Sequence, residues 1–415
     1  MMMPGKWQTG MVRNVVVLGS TGSIGRQALD VIAANPDQFD VVGLSSGGNH
    51  LELLAKQTRA HQVGTVGVPI SSTSVPGRGP GLRESRIRAV LGNTGAQVVT
   101  GEDANERLAG LDGADVVLNA ITGAAGLLAT LAALKAGKTL ALANKESLVI
   151  GGRLVTDAAG PGQIVAVDSE HSAIAQALRA GRADEVRKVI LTASGGPFRG
   201  MTRQQLADVT PEQAMRHPTW HMGRVITINS ATLVNKGLEL LEASLLYGVA
   251  LDDIQVVVHP QSMVHSGVEF VDGAAMLQAS PPDMKLPIGL ALAWPQRLPG
   301  VANPCDWTQA GQWTFEPLDD EAFPAVELAR QAGRAGGTAP AVFNAANEVA
   351  VDAFCEGKLQ FLQITDTIAD VLSQHLADGH VGDDALTLDA VLDADAWARQ
   401  AARLRVSSYV HTNDR

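Results

Sequence analysis

Val15-Val16-Val17-Leu18-Gly19-Ser20-Thr21-Gly22-Ser23-Ile24-Gly25 is the stretch from which the rest of the chain can be read. Four aliphatic residues in a row leave no polar face for water, so they suit a strand covered on both sides, as in a parallel sheet. The run stops at Gly19, and glycine returns at every third position, 19, 22 and 25. Residues 26–34 then take up helical spacing. Between a strand and a helix, glycines let the backbone turn sharply and approach a diphosphate, and the N–H groups at the helix start favour an anion. The glycines alone would also suit a plain structural turn. The strand before them and the helix after them favour dinucleotide binding.

Working outward, residues 41–44 give a second strand and 51–58 a second helix. Residues 115–118 and 139–142 are further strands around an Ala/Leu helix at 126–135. This alternation predicts an α/β fold with an N-terminal Rossmann-like parallel sheet domain over residues 12–160. The second strand runs into Ser45-Ser46-Gly47-Gly48-Asn49, which has no acid to hold a ribose 2′-hydroxyl. The missing acid favours NADP over NAD, although no Arg or Lys stands there either. Residues 64–83 are rich in Gly, Pro, Ser and Thr without periodicity and are expected to form a surface loop or insertion.

Residues 161–300 mix expected strands (163–167, 189–192, 254–258, 266–271) with helices and read as a central α/β catalytic domain. Residues 301–320, with their prolines and weak periodicity, read as a connector. Helical patterns at 323–332, 341–356, 364–375 and 388–403 predict a C-terminal helical bundle over 321–405.

Composition narrows the function. The chain has 415 residues, enough for two or three domains, and only 4% are aromatic, so Ala, Val, Leu and Gly must build the cores. A net charge of -11 argues against a nucleic-acid partner, which needs a basic face. Residues 1–11 contain no apolar run suited to a signal peptide, and no apolar stretch of about eighteen residues suggests a membrane span. Cys305 and Cys355 have neither metal-ligand spacing nor a disulfide framework around them; two plain thiols fit a cytoplasmic protein.

Three clusters carry chemistry. Asp168-Ser169-Glu170 follows an expected strand, and two carboxylates two residues apart at a strand end can face one cation. With Glu239 as a third, the set suits Mg²⁺ or Mn²⁺, hard ions that prefer oxygen; a solvated strand end is the plainer alternative. Ser194-Gly195-Gly196 is a small turn with a hydroxyl and N–H groups, and Asn229-Ser230-Ala231-Thr232 looks like a helix start that Ser230 could cap. Asn235 and Lys236 follow, and together these groups could hold a phosphate; an N-cap with polar surface residues would look the same. His217 to Gly223, with Trp220 and Met222, reads as a loop able to cover a small ligand, or as residues that simply pack.

Taken in order, these stretches, with Ala143-Asn144-Lys145-Glu146-Ser147, His259-Pro260-Gln261-Ser262-Met263-Val264-His265 and Asn344-Ala345-Ala346-Asn347-Glu348, resemble the 1-deoxy-D-xylulose 5-phosphate reductoisomerase family of the non-mevalonate isoprenoid pathway. The resemblance implies an NADPH- and divalent-metal-dependent oxidoreductase. It would rearrange and reduce a small phosphorylated keto-sugar to 2-C-methyl-D-erythritol 4-phosphate, and it would work as a homodimer. It implies cofactor contacts from Thr21, Gly22, Ser23, Ile24, Gly47, Gly48, Asn49, Asn144, Glu146 and Gly223, and metal ligands Asp168, Glu170 and Glu239. Ser194, Ser230, Asn235 and Lys236 would grip the phosphate. Lys145, Ser169 and His217 would touch the rest of the substrate, with Trp220 and Met222 closing over it. Lys145, Glu170, Glu239 and His217 would be the catalytic set.

The chain departs from the family pattern at Gly48 and Val225, where a basic residue is common, and at Asn229, where Asp is common. Two other readings share the glycine loop. One is a dehydrogenase of the aspartate-semialdehyde or homoserine type, the first of which would need a nucleophilic Cys in its second domain. The other is a dinucleotide-sensing regulator, which would need no three-carboxylate site.

Overall fold

The computed structural model describes residues 12–70, 84–220 and 222–413. The expectation for residues 1–11 and most of the expected loop at 64–83 therefore lie outside the described residues. The chain folds as two compact units. One holds residues up to Asn144 together with Asp157–Ser172 and Asp283–Ala302; the other holds Lys145–Thr156, Ala173–Pro282 and the chain from Asn303 onward.

The first unit is built on a parallel sheet of β1 (Arg13–Leu18), β2 (Phe39–Ser45), β3 (Thr65–Val68), β4 (Gln97–Thr100), β5 (Val116–Asn119), β6 (Thr139–Leu142) and β7 (Ile164–Ala166). Its order is β4-β3-β2-β1-β5-β6-β7. Every pairing is parallel, and Val15 to Leu18 are fully buried, as an all-aliphatic central strand requires. The connections run one way from β1 to β4 and the other way from β5 to β7. The crevice at the carboxyl ends of β1 and β5 is therefore the switch point at which such sheets bind ligands.

One expectation fails here. Thr65–Val68 is a strand of this sheet, not part of a loop, and Gln97–Thr100 pairs beside it. Both are four residues long, and the Leu108 side chain crowds Gly67 on one face. Helix Lys285–Ala293 rejoins the unit late in the sequence: Ile288, Ala291 and Leu292 enter its core. Arg13 ties that helix down, donating to the carbonyls of Leu292 at 2.7 Å and Trp294 at 3.1 Å.

The second unit has a mixed sheet of β8 (Val186–Ala193), β9 (Ile254–Val258), β10 (Val264–Phe270), β11 (Ala275–Ala279) and β12 (Glu316–Pro317), in the order β11-β10-β8-β9-β12. Helix Val234–Tyr247 packs against helix Ala325–Ala335 so closely that a Cβ on Gly237 would come within 2.8 Å of the Ala329 methyl. Helix Ala339–Cys355 is sandwiched by Phe361–Asp378 and Leu388–Asn413, and Phe343, Phe354, Ile364 and Leu372 fill one continuous core. This is the helical bundle the periodicity predicts.

Candidate active site

In the first unit, the glycine loop is fixed from both sides. The N–H groups of Gly19 and Ser20 both donate to the Ser45 carbonyl, at 3.0 and 2.8 Å. Gly19 has φ +79°, and a Cβ there would lie 2.5 Å from the Ala120 carbonyl oxygen. A Cβ on Gly25 would lie 2.4 Å from the Gly19 carbonyl oxygen, so both positions require glycine. Ser20 is locked to Gln57 by a pair of hydrogen bonds, each 2.9 Å. Helix Ser23–Ala33 starts at Gly22 with no side-chain cap and no acid in its first turn. Its leading N–H groups and positive dipole end can therefore face an anion, with Thr21, Gly22, Ser23 and Ile24 around them.

Ser45 and Ser46 are buried at the end of β2, while Gly47 and Asn49 are exposed. Gly48 has φ +84°, a conformation that the basic residue common in the family would adopt only under strain. Asn144 is buried and donates to the Gly123 carbonyl at 3.0 Å. The loop after β5 went unnoticed in the sequence. Asn119, buried, holds it by donating to the Gly126 carbonyl and to Thr130 Oγ1. A run of four aliphatic and amide residues followed by Gly123 was the available signal.

The acidic pair differs from its expected geometry. β7 ends at Ala166, and Asp168 stands at the start of helix Ser169–Ala177, not on a strand. Its carbonyl accepts from the Ser172 N–H at 2.9 Å, and its Oδ1 accepts from the Glu170 N–H at 3.1 Å and faces His171 Nδ1 at 3.0 Å. Ser169 Oγ donates to Glu170 Oε2. Local capping rather than strand alternation therefore orients both carboxylates.

In the second unit, Lys145 and Glu146 open helix Lys145–Gly151, both buried. Lys145 Nζ donates to Glu239 Oε1 at 2.9 Å and to Asn235 Oδ1 at 3.2 Å. Lys236 Nζ donates to Glu239 Oε2, and Asn235 Nδ2 donates to Glu239 Oε1. Glu239 is only 1% exposed. Two ammonium groups and an amide thus meet this buried carboxylate, which offsets the cost of its burial. Lys236, expected to face a phosphate, is found holding Glu239.

The expected cap at Ser230 is a second correction. Ser230 lies in the last turn of helix Arg224–Ala231, and the following helix, Val234–Tyr247, starts only after Leu233, whose φ is 60°. A left-handed leucine has no sequence signature, so Asn-Ser-Ala-Thr passed for a helix start. Ser230 is nonetheless brought to the Ser194 turn: a Cβ on Gly196 would lie 2.8 Å from its carbonyl oxygen. Ser194 Oγ meets His217 Nε2 at 3.0 Å and accepts from the Gly196 N–H at 3.2 Å. Burial pushes the His217 imidazole below its ordinary pKa. Trp220 and Met222 are half-buried, and the Trp220 ring is tilted against His265 with centroids 6.3 Å apart. Gly223 is exposed and caps helix Arg224–Ala231. His221 lies outside the described residues. Val225, where the family favours a basic residue, packs half-buried against the core of this unit.

Comparison with known proteins identifies the family. Residues 15–152 match the family model described as 1-deoxy-D-xylulose 5-phosphate reductoisomerase, and residues 164–247 match the model of its C-terminal domain. Residues 279–401 match a further DXP reductoisomerase C-terminal domain. A reductoisomerase of this name from Cutibacterium acnes is 61% identical over 407 residues, covering 94% of this chain and 98% of the relative. The chain belongs to the 1-deoxy-D-xylulose 5-phosphate reductoisomerase family. The reductoisomerase of Mycobacterium marinum is 58% identical over 393 residues, 95% of this chain and 93% of that one. Among solved structures, the reductoisomerase of Zymomonas mobilis in complex with NADPH is 40% identical, covers 96% of this chain and 100% of that one, and has a TM-score of 0.84. A DOX-P reductoisomerase in complex with NADPH, fosmidomycin and magnesium is 34% identical with a TM-score of 0.86, over 95% of this chain and 98% of that one. Membership in the reductoisomerase family sets aside the simpler-dehydrogenase and sensor readings.

Proposed function

We propose that this chain carries out its family's reaction, the NADPH- and divalent-metal-dependent rearrangement and reduction of 1-deoxy-D-xylulose 5-phosphate to 2-C-methyl-D-erythritol 4-phosphate. The observation that carries the reading is the buried Glu239 carboxylate, held by Lys145, Lys236 and Asn235.

Thr21, Gly22, Ser23 and Ile24 take the NADPH diphosphate at the uncapped helix start, and Gly47, Gly48 and Asn49 lie by the adenosine ribose. Asn144 and Glu146 serve the nicotinamide half, and Gly223 the cofactor from the loop side. Asp168, Glu170 and Glu239 are the ligands for Mg²⁺ or Mn²⁺, and the donor chemistry fits: all three offer anionic oxygens, which hard cations prefer. When bound, the ion supplies Lewis acidity toward the sugar oxygens and NADPH supplies the hydride.

The protein's side chains do the rest. Lys145, a buried ammonium, stabilises the negative charge that develops on a sugar oxygen as the carbon–carbon bond breaks. Ser194, Ser230, Asn235 and Lys236 anchor the phosphate, remote from the reacting bonds. Their binding energy keeps the fragments in register while the skeleton is rebuilt. Ser169 contacts the rest of the substrate, His217 acts on it through Ser194, and Trp220 and Met222 exclude water from the reacting atoms.

The functional form is a cytoplasmic homodimer. No described helix is long and apolar enough to cross a membrane. β11 is a sheet edge with Met276 and Leu277 each 43% exposed, beside Val271 at 66%, a surface suited to a second copy. Following the loss of nicotinamide absorbance with deoxyxylulose phosphate, with and without Mn²⁺, tests the activity. Oxidation that needs both sugar and metal is the expected outcome, and no oxidation with this sugar contradicts it.

A further inference from the structure

His217 uses both of its ring nitrogens. Nδ1 lies 3.1 Å from the Thr219 N–H and 2.9 Å from the Trp220 N–H, both of which donate to it. A ring nitrogen that accepts carries no hydrogen, so the neutral imidazole has its proton on Nε2. Nε2 faces Ser194 Oγ at 3.0 Å and is therefore the donor of that pair. The Gly196 N–H also donates to Ser194 Oγ, at 3.2 Å. With two donors on its oxygen, the serine hydroxyl hydrogen must point away from both.

We propose that His217 is a positioning residue that joins two loops through one neutral imidazole. Its Nδ1 closes the 217–220 turn that carries Trp220, and its Nε2–H turns the Ser194 hydroxyl outward, as a donor to the substrate phosphate. The second half rests on the phosphate reading of Ser194. Protonating Nδ1 would place a third N–H against two others, so the turn holds only while the ring is neutral. Burial, acting alone, lowers the pKa of the ring and extends its neutral range toward acid. Among the described residues, the charged groups on the neighbouring segments are paired or exposed. Arg199, whose chain packs on Gly195, is paired with Glu316 at 2.6 Å; Arg224 is paired with Asp352 at 2.7 Å; Arg216 is exposed. His265, against the Trp220 ring, has its Nε2 3.1 Å from the Ser280 carbonyl.

The two halves separate by substitution. In His217→Asn the side-chain oxygen can stand in for Nδ1 but cannot reach Ser194. In His217→Gln the amide N–H can stand in for Nε2–H but offers the turn no acceptor. Hydrogen exchange at the Thr219 and Trp220 amides should stay slow in His217→Asn and speed up in His217→Gln. For KM of deoxyxylulose phosphate, Ser194→Ala and His217→Asn should each cost about tenfold, and the double variant about tenfold rather than about a hundredfold, because one removes the other's partner. The acid-side rise in KM should also be smaller in His217→Asn than in the wild type, with the titration of the substrate phosphate common to both. Multiplying KM penalties would overturn the role through Ser194, and equal exchange in the two histidine variants would overturn the role in the turn. A wild-type enzyme that ignored the sugar would instead overturn the functional reading, while exchange still judged the turn.

Discussion

Glu239 shows how much one residue is asked to do. It is buried and contacted by Lys145, Lys236 and Asn235. Glu239→Gln keeps the shape but removes the charge, and leaves two ammonium groups facing an amide. Turnover is expected to fall by about a hundredfold or more, with NADPH affinity, measured by fluorescence titration, nearly unchanged. Lys236→Ala is expected to act mainly on substrate affinity, raising KM by roughly 30-fold for a loss of about 2 kcal/mol. An unchanged KM would deny Lys236 its phosphate role. The identities of these residues were legible in the sequence because the chemistry of hard cations and phosphates needs carboxylates, hydroxyls and ammonium groups. Their mutual contacts were not. That Lys236 holds Glu239 is a matter of three residues' separation on a helix whose start, after Leu233, no residue type announces.

Elements place those residues, and glycines set the tolerances. Gly25→Ala would drive a Cβ into the Gly19 carbonyl oxygen and the Ser20 backbone, at 2.4 and 2.5 Å. The diphosphate loop would have to deform, so NADPH affinity should weaken by about tenfold or more. Gly196→Ala faces both a φ of +66° and the Ser230 carbonyl at 2.8 Å. The strain alone is roughly 1 to 2 kcal/mol, and it should appear as a lower melting temperature together with a higher substrate KM. A stable variant with normal KM would show that the Ser194 turn is not tied to Ser230. Strands buried on both faces, such as Val15–Leu18 and Thr139–Leu142, were legible as aliphatic runs. Thr65–Val68 was not, because Gly67 and the Pro/Gly-rich residues beyond it mimic a loop. Asp168 and Glu170 were read from strand alternation, yet a helix start orients them.

At the scale of the whole molecule, sequence order and spatial order part. Helix Lys285–Ala293 returns to the first unit after the chain has built the second sheet, and Arg13 near the start of the described chain binds its carbonyls. No local pattern encodes such a return. The exposed edge β11 belongs to the same scale. Leu277→Lys is expected to yield monomers by light scattering if that edge pairs two copies, and an unchanged mass would place the partner surface elsewhere. Everything about the chemistry depends on Asp168, Glu170 and Glu239 serving one cation. Mn²⁺ titration of the wild type and of Asp168→Asn, Glu170→Gln and Glu239→Gln, with NADPH binding followed in parallel, addresses this directly. Each substitution should weaken Mn²⁺ by about tenfold or more and leave NADPH bound as before. Wild-type Mn²⁺ affinity in Glu239→Gln would contradict the shared site.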